Sequence, residues 1–82
     1  MNNNNDDDWI AYLGSMTCKN RRNGIIVEFT PCGKAYVGKI KDIPMNVFAK
    51  WAKLPDGELH VQKAVAEAEI VFLQTVFESE NN

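Results

Sequence analysis

One long helix sets the limits on what this chain can fold into. It starts around Asp56 to Glu58, where acidic residues suit the positive end of a helix dipole, and runs to about Ser79. At ~1.5 Å per residue this is more than ~30 Å of helix. With ~100° between successive residues, Val61, Ala64, Val65, Ala68, Val71, Phe72 and Val76 form one broad apolar stripe. A second stripe, Ala66, Ile70, Leu73 and Phe77, steps along a different side. Gln62 and Glu69 separate the stripes on one flank, and Lys63, Glu67, Gln74 and Glu78 on the other. One stripe can lie against the rest of the domain. The other needs a cover, either this small domain wrapped around it or a partner. Ala66, Ile70, Leu73 and Phe77 are therefore the candidate partner interface. Their spacing is that of a knobs-into-holes seam, so a second copy is among the expected partners.

Little else is available to cover it. With 82 residues there is room for one domain. A domain of this size buries only somewhat above ~60% of the surface its unfolded chain exposes, which makes it marginal without help. The expected domain is 9–79. The acidic, Asn- and Asp-rich residues 1–8 and the polar residues 80–82 are expected to be disordered tails, because neither can bury enough apolar surface to offset ordering.

Before the helix the chain reads as β. Ile25 to Thr30 is rich in β-branched and aromatic residues, with Ile25, Val27 and Phe29 on one face. Pro31-Cys32-Gly33 breaks that run, and Ala35 to Lys41 returns as its hairpin partner, with a bulge expected at Gly33. Trp9 to Lys19 has extended character and ends at Asn20-Arg21-Arg22-Asn23-Gly24, whose Asn-Gly pair is a strong turn signal. Within it, Trp9 to Leu13 fits a helical turn as well as a strand. A shorter helix follows, with Asp42 as N-cap, Pro44 near its first position and Leu54-Pro55-Asp56-Gly57 as its stop. Its apolar face would be Met45, Phe48, Trp51, Ala52 and Leu54. The expected fold is thus α+β: a three-stranded antiparallel β-meander followed by two α-helices, the C-terminal one long.

The net charge of −2 hides a strong polarity. Residues 9–55 carry eight basic against two acidic side chains, or +6, whereas residues 56–82 carry six acidic against one basic, or −5. Lys19, Arg21, Arg22, Lys39 and Lys41 are the candidate nucleic-acid contacts if that basic region reads DNA. A strand bearing Lys39 and Lys41 that leads into two helices resembles a ribbon-helix-helix arrangement over about half the chain. A β-ribbon of that kind enters the major groove. The acidic total argues against it, since nucleic-acid binders show a basic footprint.

Catalysis finds no set of roles. His60 is the single histidine, and neither Cys18 nor Cys32 has a local context that supplies a base and an orienting group. Two Cys and one His fall short of a structural zinc site, and no Gly-rich phosphate loop is present. The cysteines are expected as small apolar fillers. No cofactor, metal or enzymatic activity is expected. The N-terminus lacks the basic start and apolar stretch of a secretory signal, and no run approaches membrane-spanning length, so the cytoplasm is the expected compartment. The function expected is a small non-catalytic protein-interaction module, a regulator or inhibitor that binds another protein or itself as a homodimer. The alternatives are a DNA-binding regulator and a small enzyme.

Overall fold

The computed structural model describes residues 8–80. Six elements follow in order: β1 (Trp9–Tyr12), β2 (Thr17–Asn20), β3 (Ile26–Cys32), β4 (Ala35–Ile40), α1 (Met45–Ala52) and α2 (Gly57–Glu80). The strands form one antiparallel meander in the order β1-β2-β3-β4.

The sheet has four strands where the sequence suggested three. The segment expected as a single first strand folds back on itself, pairing Tyr12 with Thr17 and Trp9 with Asn20. The reversal is made by the Met16 N–H donating to the Leu13 carbonyl at 3.2 Å, with Met16 at φ 55, a left-handed conformation uncommon outside glycine. Trp9 to Tyr12 is strand and not a helical turn.

Pro31 does not end β3, because the strand continues through it to Cys32. Pairing with β2 stops at Thr17↔Glu28, followed by one further bond from the Phe29 N–H to the Met16 carbonyl. Pro31 lies two residues on with its nitrogen toward the same side, beyond the end of β2, where no ladder bond is lost. Gly33, at φ +64, then opens a two-residue connection that sets Cys32 opposite Ala35.

Strand alternation sorts the sheet into two faces. Trp9, Cys18, Val27 and Phe29 point inward and are buried, joined by Ile25 just before β3. Against them α2 lays Ala64, Ala68 and Phe72, all buried, with Val61, Val65, Val71 and Val76 half-buried beside them. The broad stripe read from the sequence is thus the packed side of α2. The two alanines let the helix axis come close: the Cys18 thiol lies 3.4 Å from the Ala68 carbonyl oxygen, to which it donates. At one end Phe72 stacks on Phe29, with ring centroids 4.5 Å apart and planes 13° apart, and meets Tyr36 edge-on at 5.2 Å. At the other end the Trp9 Nε1–H points to Glu67 Oε1 at 3.5 Å.

Gly38 of β4 makes that approach possible. A Cβ there would lie 2.8 Å from Phe29 Cε1, 3.1 Å from Val65 Cγ1 and 3.2 Å from Val27 Cγ1. The turn between β2 and β3 is built by its asparagines. Asn20, itself buried, accepts from the Arg22 and Asn23 amides at 2.9 and 3.1 Å, and Asn23 accepts from the Ile25 amide at 3.0 Å.

The short helix differs most from expectation. It begins at Met45 with Pro44 as its N-cap, without a side-chain cap from Asp42. It is held by buried Val47 and half-buried Trp51, one turn apart, whereas Met45, Phe48, Ala52 and Leu54 are exposed. Pro44 sits against Gly24, where an added Cβ would meet its Cγ at 3.4 Å. The start of α1 thus lies beside the β2–β3 turn, with Val47, not the larger residues, turned inward.

Of the expected tails, residues 1–7 and 81–82 lie outside the described residues. Asp8 is described: its carbonyl accepts from the Arg21 amide at 2.7 Å, and its carboxylate lies 3.7 Å from Arg22 Nε. Glu80 is the last residue of α2. No helix of the described residues is long and apolar enough to cross a membrane.

Candidate interaction surface

The side of α2 turned away from the sheet carries the second stripe. Ala66 is exposed, and Ile70, Leu73 and Phe77 keep 51%, 42% and 67% of their surface open, as does Leu59 at 60% one heptad before Ala66. Helix periodicity places this stripe nearly opposite Ala64, Ala68 and Phe72. Among the described residues, no other element wraps around to cover it. α1 lies beside the start of α2, where Gly57 packs so closely on the Trp51 carbonyl that an added Cβ would come within 2.6 Å of its oxygen.

A second apolar group was not foreseen, because its members were expected to be core. Met45 is 78% exposed and Phe48 54% exposed. Phe48 and Ala52 join Trp51, Gly57 and Val61 around a shallow groove of about 240 Å³ between the two helices.

The five candidate nucleic-acid contacts do not form one patch. Lys19, Lys39 and Lys41 are exposed at outward positions of the sheet's open face, among Ile10, Tyr12, Ile26 and Val37. Glu28 stands in the same face, paired in register with both Thr17 and Lys39. Arg21 and Arg22 are in the β2–β3 turn, Arg22 beside Asp8. The expected β-ribbon is the edge strand of a four-stranded sheet, with β3 as its hydrogen-bonded neighbour.

The two cysteines have separate fates. Cys18 is enclosed under α2, and burial pushes its thiol up to about 11. The cause is desolvation under α2, which disfavours the charged thiolate. Cys32 is exposed at the end of β3 and is not the buried filler expected. His60 is exposed in the first turns of α2, lining an open cleft with Arg22, Lys50 and Trp51. Among the described residues, no three His, Cys, Asp or Glu side chains are grouped so as to hold a metal ion.

Comparison with protein-family models, with curated proteins and with solved structures gave no significant match to this chain.

Proposed function

We propose that this chain is a non-catalytic protein-interaction module that docks through the outer face of α2. The observation that carries this reading is the exposure of Ile70, Leu73 and Phe77 along the side of α2 opposite the packed one. A contiguous apolar stripe on a single helix, rimmed by charged residues, is the form of a surface that another polypeptide covers. The apolar groove beside Phe48 and Trp51 extends the same chemistry toward α1. The polarity between a basic sheet and an acidic helix would steer the encounter more than it would add affinity.

A photocrosslinking residue placed at position 70 or 73 in the full chain, in the cells that express it, tests the reading. Adducts are expected at both positions and not at Lys34 in the β3–β4 turn. Equal labelling at all three would overturn it.

A second reading rests on Lys19, Lys39 and Lys41 sharing the open face of the sheet with Tyr12, a layout that suits a polyanion. Glu28 in the middle of that face, and the acidic total, weigh against it.

A further inference from the structure

We infer that the partner of the α2 stripe is a second copy of the same helix, laid antiparallel in one particular register; this rests on the docking role proposed for that face. Written as heptads, the outer side of α2 runs Lys63, Ala66, Ile70, Leu73, Phe77, Glu80, with alternating steps of three and four. An antiparallel pair about a two-fold axis brings the end of this series against its beginning. Ile70 then faces Leu73 of the second copy, Ala66 faces Phe77, and Lys63 faces Glu80, each pairing occurring twice by symmetry. The smallest residue of the seam meets the largest, and its one cation meets an anion.

The flanks fit the same register. Glu67 falls opposite Gln74 of the second copy and Glu69 opposite Val76, so neither carboxylate at the edge of the seam meets another. This matters because residues 56–82 carry a charge of −5, and two such helices side by side repel unless the register relieves it. A parallel pair has no such relief: Lys63 would face Lys63, Phe77 would face Phe77, and Glu80 would face Glu80. Lys63 and Glu80 are both exposed and make no ion pair within their own chain among the described residues. The sheet lies on the opposite side of α2, so each copy would carry its sheet outward and the two helices would form the centre of the dimer.

Sedimentation equilibrium on the pure protein, across micromolar concentrations in low salt, reads this directly. A reversible monomer–dimer equilibrium is expected, weakened by about tenfold or more in Ile70→Glu and about tenfold in Lys63→Glu. The charge-reversed double variant Lys63→Glu/Glu80→Lys is expected to return to within about threefold of the original affinity, since each reversed lysine again meets a glutamate. Both positions are exposed, so these variants keep the fold, and a circular dichroism melt verifies it. A chain that stays monomeric, or a dimer that the double variant fails to rescue, overturns the antiparallel pairing. The photocrosslinking result separates the two levels. Adducts at positions 70 and 73 with a different protein alone would sink the second copy and leave the docking surface, whereas equal labelling at the control site would sink both.

Discussion

Phe29 and Phe72 stack face to face, 4.5 Å between ring centroids, and this one contact joins the middle of the sheet to the last third of the chain. Phe72 is almost fully buried and also receives the edge of Tyr36. Phe72→Ala is expected to cost about 3–5 kcal/mol, as large-to-small changes at buried aromatics do. In a domain this small that is a large share of the total stability, so urea unfolding should show a low midpoint or no folded baseline. A loss below about 1 kcal/mol would mean that the stack does not organise the core.

Gly38 is a test of close packing. Its φ is ordinary, so the cost of Gly38→Ala comes from the methyl group meeting Phe29 and Val65. Overpacking of this kind costs about 1–3 kcal/mol, and the thermal midpoint should fall accordingly. An unchanged midpoint would show that α2 can lift from the sheet at no cost.

Two substitutions on one helix separate its faces. Ala68→Glu buries a carboxylate against Cys18 and should prevent folding. Ile70→Glu, two residues on, should change the stability of the dilute monomer by no more than about 0.5 kcal/mol. Comparable losses in urea unfolding would contradict the exposure of the second stripe.

The two cysteines should react at different rates, because one is buried and the other exposed. At mildly alkaline pH a thiol reagent should modify Cys32 promptly and Cys18 only as fast as the protein opens. The Cys18 thiol ionises near 9.0 when unfolded and about 11 when folded. The unfolded chain therefore releases its proton first, and stability falls as pH rises from 9 toward 11, while below 9 the contribution is constant. Cys18→Ala should show a shallower decline over that interval, and parallel curves for the two proteins would refute the burial of the thiol.

Nucleic-acid binding has its own check. With a net charge of −2 and Glu28 among the sheet lysines, the chain is expected to show no salt-sensitive retention of mixed duplex DNA. Binding at low salt that is weakened in Lys19→Ala and Lys39→Ala would move the second reading ahead of the first.

What was legible in the chain follows from how strongly each segment repeats. Val27 and Phe29 alternate cleanly, and α2 repeats its two stripes over several turns, so β3 and the packed side of α2 could be read directly. The β1–β2 reversal could not, because it depends on Met16 adopting a positive φ, which no side-chain type announces. Periodicity also failed on α1. In eight residues the bulk of Met45 and Phe48 outweighs Val47, yet Val47 is the residue turned inward, and Pro44 at the start of the helix lies beside Gly24, a neighbour that local periodicity does not reveal. The same misreading hid the apolar groove beside Phe48. The asparagine turn was legible as a turn, but the burial of Asn20 was not, since a polar residue at the end of a strand gives no hint that its side chain will accept two amides.

The order of the elements has a consequence for how the protein is made. The strands are neighbours in sequence and can pair as they emerge, but among the described residues it is α2 that lays Ala64, Ala68 and Phe72 on their inner face. Val27 and Phe29 wait for Ala68 and Phe72, and Phe72 follows Phe29 by 43 residues. At ~5–20 residues per second of synthesis, the sheet stands open for about 2–9 s with its apolar side bare. A bare apolar sheet face on a nascent chain is prone to aggregation, and the emergence of α2 is the step that ends the exposure.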